Sequence, residues 1–165
     1  QAEFSPYIGR PQGTQSEYAK RWTAYFLYQH GKRIEDHYAR CPKTAALLEQ
    51  VPLATVPGAV PAVFFSALEP KTTIPPHTGV TNTRLIVHLP LIVPEGCWFR
   101  VGNETREWKV GEALIFDDSI EHEAHNDSSE LRVLLIFDIW NPYLSEMERE
   151  LVCELLSNMK DYYNE

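Results

Sequence analysis

Residues 83–93 read TRLIVHLPLIV, a run rich in Leu, Ile and Val that has the length of one β-strand. Successive side chains of a strand point to opposite faces of its sheet. If Val87 and Leu89 face one side, Ile86 and His88 therefore face the other. The stretch predicts a strand that presents polar groups on one of its two faces.

Five further short runs around this strand have the same β-branched and aromatic texture and are separated by Gly, Pro and Asn. They are AVFFSAL (62–68), CWFRVG (97–102), REWKV (106–110), EALIFDD (112–118) and LRVLLIFDIW (131–140). Strands at this regular spacing predict a mainly β fold, built as an antiparallel sandwich or barrel.

Helices are expected on both sides of the β region. Pro42 precedes an Ala- and Leu-rich turn, which predicts a helix at about 42–51. Ser145 and Glu148 form a capping box that predicts a helix from there to about Met159.

The secondary structure of the amino-terminal part is not fixed by the sequence pattern. Residues 16–28 fit a short helix or a strand equally well, and residues 1–13 predict an irregular lead-in. We expect a single domain over the whole chain, because 165 residues fit one compact core. Its expected parts are a lead-in with helices (1–60), a β-barrel core (61–142) and a C-terminal helix (143–165).

Charge and composition exclude some classes of partner and indicate a cellular location. The formal charge is −8, and no stretch gathers Lys and Arg, so we expect no nucleic-acid partner. No run of eighteen apolar residues and no signal-peptide layout occur, so no membrane segment is expected in this chain. Three cysteines without a C-x-x-C pair favour a reducing, cytoplasmic location. Because the chain begins at Gln1, we also expect a longer parent protein.

Two histidines stand at the ends of predicted strands. His77 opens HTGVTN before one strand, and His122 lies in DDSIEHE just after another. Neutral imidazoles that converge from separate strands can bind iron(II). A single loop histidine is more often an ordinary surface residue, so the pair needs a third feature to support a metal site.

Arg132 supplies that third feature, ten residues after His122 and inside the apolar strand LRVLLIF. A buried guanidinium is costly unless a carboxylate meets it with a fork of hydrogen bonds. That carboxylate could belong to 2-oxoglutarate, with its 2-oxo acid end on the metal. The alternative is an ion pair between Arg132 and Asp117, Asp118 or Glu130 at a strand end.

The region from His77 to Pro142 resembles the aspartyl/asparaginyl β-hydroxylase family of iron(II)- and 2-oxoglutarate-dependent dioxygenases. The resemblance is carried by HTGVTNTRLIVHLPLIVP (77–94), RVGNETREWKVGEALIFDDSIEHEAHN (100–126) and LRVLLIFDIWNP (131–142). Milder similarity extends upstream through YARCPKTAALLEQVP (38–52) and FFSALEP (64–70). With this resemblance, we expect the barrel to be a double-stranded β-helix, that is, a jelly-roll or cupin-like barrel with flanking helices.

The resemblance implies roles for particular side chains. His77 and His122 are implied to bind iron as the catalytic centre. Arg132, helped by Ser66, is implied to bind the distal carboxylate of 2-oxoglutarate, and His88 its other carboxylate. Arg84, on the same strand face as His88, is a candidate for contact with the substrate. The expected cofactors are iron(II), 2-oxoglutarate and O₂.

The chain departs from the usual pattern of this chemistry at two positions. Most such enzymes carry an acidic third metal ligand two residues after the first histidine, and Gly79 stands there, where water could fill the site. Ile86 stands where the family often carries an arginine, which puts an acidic substrate side chain in doubt. Asp117 and Asp118 either orient His122 or cap a turn, and we favour orientation.

We therefore expect a hydroxylase that acts on a C–H bond of an aspartyl/asparaginyl-type residue or a related small substrate. One alternative is an oxygenase of the same fold that acts on a lipid acyl chain or a free amino acid derivative. Another is a metal- or ligand-binding barrel without catalysis. The expected partner is a small-molecule or peptide substrate, and the sequence carries no signal for an oligomeric state.

Overall fold

A computed structural model describes residues 4–7, 20–56 and 58–163 of the chain. The strands are β1 (Ser5–Pro6), β2 (Trp22–Gln29), β3 (Lys32–Arg33), β4 (Val63–Leu68), β5 (Thr72–His77), β6 (Arg84–Ile92), β7 (Cys97–Val101), β8 (Glu104–Glu107), β9 (Leu114–Phe116), β10 (His122–Asn126) and β11 (Arg132–Trp140). The helices are α1 (Glu35–Arg40), α2 (Pro42–Leu48) and α3 (Glu146–Tyr163). No helix in these ranges has both the length and the apolar character needed to cross a membrane.

The strands form two antiparallel sheets that face each other. The larger sheet has seven strands in the order β1-β2-β4-β11-β6-β9, with β3 beside β2. The smaller sheet has four strands in the order β5-β10-β7-β8. The two sheets enclose one apolar interior, and the helices flank the barrel, which confirms the predicted double-stranded β-helix.

Opposite faces of the larger sheet pack into two separate core clusters. Ile86 and Ile136 belong to the cluster between the two sheets, together with Phe99 and Trp108. Val87 and Leu135 belong to the cluster under α1 and α2. The predicted alternation of β6 is thus confirmed, and it places His88 on the interior face.

Two strands of the smaller sheet were not predicted from the sequence. β5 reads TTIPPH, and its two prolines are residues that strands usually lack. β10 reads HEAHN, which is polar and has none of the β-branched residues typical of strands. Both are stabilised by pairing with their neighbours in the sheet rather than by their own propensity. His77 therefore ends a strand and His122 begins one, instead of lying in loops.

The predicted boundaries need further corrections. The large sheet includes β2, so the barrel begins upstream of the expected 61–142 core. Residues 16–28 were expected to form either a helix or a strand, and their described part forms a strand. Residues 16–19 and most of 1–13 lie outside the described residues. The REWKV strand ends before Trp108, because this side chain turns into the core. Helix α2 is shorter than predicted, and α3 is longer.

Candidate active site

His77 and His122 lie side by side on neighbouring strands of the smaller sheet, and we call them the histidine pair. They are register partners between β5 and β10, at a point where the pairing is irregular. Their ring centroids are 4.2 Å apart, and the ring planes are tilted by 56°. Residues that the chain separates by 45 positions are therefore brought to one place, as the metal prediction requires.

Hydrogen bonding assigns the same tautomer to both rings of the histidine pair. His77 Nδ1 lies 2.8 Å from the carbonyl oxygen of Pro75, and His122 Nδ1 lies 2.8 Å from that of Ile120. A carbonyl oxygen can only accept, so each Nδ1 carries a hydrogen and donates it. Each Nε2 then keeps its lone pair, which is the form that binds a metal ion.

His122 is also neutral at physiological pH. Its side chain is buried, and burial lowers its pKa to about 4; the charge of His77 lowers it further, while the Ile120 carbonyl opposes the shift. His77 is exposed and lies on the solvent side of the pair. The pair thus offers one buried and one accessible ring nitrogen, and the buried one on His122 binds a metal without first losing a proton.

Arg132 is a buried cation at the other end of the barrel interior. It is only 1% exposed, and burial lowers its pKa to about 9. Its guanidinium lies over the Trp108 ring at 5.0 Å, and its Nε has no hydrogen-bond partner in the described part of the chain. A cation so placed is complementary to a carboxylate that enters from outside.

None of the described acids that were alternative partners of Arg132 forms an ion pair with it. Asp117 accepts the backbone N–H of Ser119 at 2.9 Å, and Asp118 pairs with Arg84. Within residues 4–7, 20–56 and 58–163, Arg132 takes part in no ion pair, with Glu130 or any other acid. The ion-pair alternative for Arg132 was therefore wrong.

His88 lies in an aromatic surround between Arg132 and the histidine pair. Its ring centroid is 4.9 Å from that of Phe99, 5.0 Å from Phe116 and 5.9 Å from Trp108. Burial lowers its pKa well below the ordinary value, and the charge of Arg132 acts in the same direction. His88 Nδ1 is buried and unpartnered among the described residues, so a neutral imidazole there is ready for an incoming polar group.

Ser66 and Trp22 form a polar pair on the floor of the interior, near Arg132. Ser66 is fully buried, and its Oγ accepts the Trp22 indole N–H at 2.9 Å. A hydroxyl that accepts one bond keeps its own hydrogen to donate. The sequence did not indicate Trp22, because the segment around it could be read as helix or strand.

An aromatic wall connects the two ends of the site. His122 lies 5.1 Å from Phe116 and 6.0 Å from Phe99, measured between ring centroids, and those two phenyl rings are 4.8 Å apart. The same rings contact His88. A cleft of about 520 Å³ opens against Phe99, Trp108 and Phe116 from the outside. The wall thus places apolar surface against His122 and His88.

Gly79 leaves no room for a third protein ligand at its position. Its N–H donates to the Asp118 carbonyl at 2.6 Å, and a Cβ built on it would lie 2.2 Å from Asp118 Oδ2. The Asp118 carboxylate therefore occupies the space that a side chain at position 79 would need. No group of three or more His, Cys, Asp and Glu side chains with metal-binding geometry occurs in the described ranges.

These contacts bear on the expectations for Asp117, Asp118 and Arg84. His122 is oriented by the Ile120 carbonyl and not by Asp117 or Asp118, so the favoured orienting role was wrong. Asp117 caps a turn instead. Arg84 is held in ion pairs with Asp118 and Asp138, and its contact with substrate stays a prediction.

The arrangement fits a metal chelate of a dicarboxylic 2-oxo acid. Two free imidazole nitrogens could hold a divalent transition metal and leave its other positions open. The unpartnered Arg132 and His88 could each take one carboxylate of such an acid. The fit rests on buried polar groups that have no hydrogen-bond partner within the described residues. A bound dianion would supply these partners.

Comparison with known proteins places this site in a family. Residues 3–142 match the family model for aspartyl/asparaginyl beta-hydroxylase. The chain is 43% identical to the human aspartyl/asparaginyl beta-hydroxylase over 129 residues, or 78% of this chain and 17% of that protein. It is 39% identical to the ornithine lipid ester-linked acyl 2-hydroxylase of Rhizobium tropici over 128 residues, or 76% of this chain and 43% of that protein.

Among solved structures, the chain is similar to the Cupin_2 domain of an XRE family transcriptional regulator from Enterobacter cloacae. The TM-score is 0.48 at 11% identity, over 73% of this chain and 98% of that one. The chain spans less than half the length of each of the two hydroxylases named above. The family match covers both strands of the histidine pair, the His88 strand and the Arg132 strand. This chain belongs to the aspartyl/asparaginyl β-hydroxylase family.

Proposed function

We propose that this protein is an iron(II)- and 2-oxoglutarate-dependent dioxygenase that hydroxylates a C–H bond of a peptide or small-molecule substrate. The observation that carries the proposal is the juxtaposition of two features in one barrel interior. The histidine pair presents free Nε2 atoms, and Arg132 is a buried cation without an acidic partner in the described part of the chain.

His77 and His122 would hold the iron through Nε2, with Nδ1 anchored on the backbone. Such an iron centre, with 2-oxoglutarate and O₂, supplies the oxidising power to hydroxylate an unactivated C–H bond, and succinate and CO₂ leave as co-products. The carbonyls of Pro75 and Ile120 keep both rings oriented. A low pKa of His122 keeps the ligand neutral over the working pH range.

Arg132, Ser66 and His88 would orient the co-substrate. The guanidinium would bind the distal carboxylate of 2-oxoglutarate in a fork of hydrogen bonds, and Ser66 would donate its hydroxyl hydrogen to the same group. His88, neutral and unpartnered at Nδ1, would contact the other carboxylate. Phe99 and Phe116 would exclude water from the space between them.

The substrate expected from the resemblance, an aspartyl/asparaginyl-type residue, remains a prediction. A second candidate is an acyl chain, because a relative at 39% identity is named for acyl 2-hydroxylation of an ornithine lipid. Both candidates need the same metal and co-substrate site, so one experiment can test that site without a known substrate.

The test uses the visible charge-transfer absorption that a 2-oxo acid produces when it chelates iron(II). Under anaerobic conditions, the wild-type protein should develop this band on addition of iron(II) and 2-oxoglutarate. The His122→Ala variant should lose it. The His125→Ala variant should keep it, because this nearby histidine stacks on Trp98 and bonds Glu123 instead of lying in the pair.

Calorimetry with iron(II) alone and then with 2-oxoglutarate distinguishes the dioxygenase from the remaining alternative, a barrel without catalysis. A non-catalytic barrel would bind one or neither component and would form no succinate in air with any substrate pool. Absence of the absorption band in a folded wild-type protein would remove the dioxygenase proposal.

A further inference from the structure

Three side chains at the mouth of the barrel form an ion cluster, which consists of Arg84, Asp118 and Asp138. Arg84 donates from Nη1 to Asp138 Oδ1 at 2.8 Å and from Nη2 to Asp118 Oδ2 at 3.1 Å. Asp138 also accepts the backbone N–H of Ala62 at 2.7 Å. The guanidinium is thus shared between two carboxylates that are themselves largely buried.

The ion cluster lies directly beside the histidine pair. The Asp118 carboxylate fills the space next to Gly79, two residues after His77. The cluster is therefore a polar neighbour of the space beside His77.

The charges of the cluster exclude it as a receptor for an acidic group. One guanidinium faces two carboxylates, so the cluster is negative when both acids are ionised. Burial raises the pKa of both acids, and a proton on one of them brings the cluster to neutrality. Neither state offers a positive charge to a substrate carboxylate.

The nearest other buried cation is too far away to replace Arg84. Arg132 and Asp138 lie on the same face of β11, six residues apart, which corresponds to roughly 20 Å along a strand. The proposed function also assigns Arg132 to the co-substrate. Apart from Arg132, the buried side chains in the described ranges therefore include no unshared cation.

Aliphatic side chains lie next to the histidine pair, both in the interior and at the rim. Ile86 is buried on the interior face and pairs with Phe116, whose ring lies 5.1 Å from that of His122. At the rim, Val80 is 64% exposed and Ile120 is 47% exposed, each within three residues of a member of the pair. Exposed aliphatic side chains around a polar centre are typical of a surface that contacts an apolar ligand.

We propose that the substrate presents an uncharged aliphatic chain, and not a carboxylate, to the histidine pair, with Ile86 and the ion cluster as the specificity-determining residues. This inference rests on the proposed function, because it defines the substrate of the same metal site. The aliphatic chain could belong to a peptide side chain or to an acyl chain, since both offer the same chemistry to this surface.

Its test measures proximity to the metal and needs no turnover. Mn(II) replaces iron(II) in the protein with 2-oxoglutarate bound, and NMR line broadening reports which probes approach the paramagnetic ion. The peptide probes are capped tripeptides that differ only in a central Leu or Asp. The acyl probes are a medium-chain acyl amide and the same chain with a terminal carboxylate.

We expect an aliphatic probe from at least one arm to be broadened at a concentration tenfold or more below its carboxylate counterpart. The arm that responds identifies the source of the chain. Equal or stronger broadening of the carboxylate probes overturns the inference, and so does the absence of broadening by both aliphatic probes. Failure of Mn(II) and 2-oxoglutarate to bind, seen by calorimetry, instead contradicts the proposed function.

Two variants test whether Ile86 causes the preference for aliphatic over carboxylate probes. Ile86→Arg adds a positive charge to the interior face, next to the ion cluster, and should improve binding of the carboxylate probes at least tenfold relative to the aliphatic ones. Ile92→Arg makes the same change at an exposed position of the same strand and should leave the preference unchanged. Equal preferences in the two variants would overturn the role of Ile86, and the wild-type comparison holds even if Ile86→Arg fails to fold.

Discussion

Arg132 is the residue whose environment is most informative about the site. Burial of a lone guanidinium in an apolar strand opposes folding, because the charge loses its hydration without gaining a counter-ion. The Trp108 ring compensates only in part, by a cation–π contact at 5.0 Å. Such a residue is expected to lower the stability of the ligand-free protein and to gain a partner when an anion binds.

Replacement of Arg132 should therefore affect stability and ligand binding in opposite directions. We expect Arg132→Met to be as stable as wild type or more stable, by about 1–4 kcal/mol, in the absence of ligand. Wild type should gain about 2.7 kcal/mol at a 2-oxoglutarate concentration one hundred times its Kd, and the variant should gain none at that concentration. Urea unfolding with and without 2-oxoglutarate and metal measures both effects. A large loss of ligand-free stability in the variant would contradict this account.

Gly79 is the second residue at which a small change should have a large effect. A methyl group there would lie 2.2–2.6 Å from the Asp118 carboxylate atoms, and that carboxylate is held by Arg84. We expect Gly79→Ala to lower the free energy of unfolding by about 1–3 kcal/mol, as overpacking usually does. Chemical denaturation measures the change.

The matched control for this substitution removes the obstacle. In an Asp118→Ala background, Gly79→Ala has room for its methyl group, so its additional cost should shrink. The two substitutions should therefore be non-additive in a double-mutant cycle. Equal costs in both backgrounds would show that Asp118 does not restrict position 79.

At the scale of elements, strand β10 joins the two sheets as well as carrying His122. Asn126, at its end, is fully buried. Its amide nitrogen lies within hydrogen-bond distance of the carbonyl oxygens of Leu68, Glu69 and Glu130, at 2.9, 3.1 and 2.8 Å, and shares its two hydrogens among them. One side chain thus ties the smaller sheet to the end of β4 and to the turn before β11, which begins with Arg132.

Loss of this connection should destabilise the fold strongly. We expect Asn126→Ala to lower the free energy of unfolding by on the order of 3 kcal/mol, because three carbonyls, of which that of Leu68 is buried, lose their donor. The exposed Asn103 provides the control, and Asn103→Ala should change stability by less than about 0.5 kcal/mol. A similar small effect for both substitutions would argue against the role of Asn126 as the connection between sheets.

At the scale of the whole molecule, the barrel buries two imidazoles in their neutral form. The folded-state pKa of His122 is about 4, below its ordinary value of 6.5, and that of His88 is also lowered by burial. As pH falls from 6.5 towards 4, the unfolded chain takes up protons that the folded protein does not. Stability that is fully present above pH 6.5 should therefore be lost across this window.

The expected loss from His122 alone is on the order of 3 kcal/mol in the metal-free protein. Urea unfolding in the presence of a chelator, at several pH values, measures it. Asp118 and Asp138 act in the opposite direction, because their raised pKa values favour proton uptake in the folded state. A His88→Gln, His122→Gln double variant isolates the imidazoles, and a slope as steep as that of wild type would contradict the prediction.

Local sequence patterns were sufficient for much of this molecule. The strand runs around residues 83–93 and 131–140 predicted a mainly β barrel, since side-chain alternation depends only on neighbours in the chain. The same patterns predicted α2 and α3 from Pro42 and from the Ser145 capping box, whose hydrogen bonds are present. The spacing of His122 and Arg132 pointed to a site because a buried guanidinium is costly in any fold.

Other features depended on contacts between distant segments, and no local pattern contains them. Strands β5 and β10 exist because their neighbours pair with them, despite two prolines in one and polar residues in the other. The partners of Arg84, and the space that Asp118 takes beside Gly79, follow from residues more than thirty positions apart. Hydrogen bonds and ion pairs act over a few ångströms in space, so they are decided only when the two sheets close around one interior.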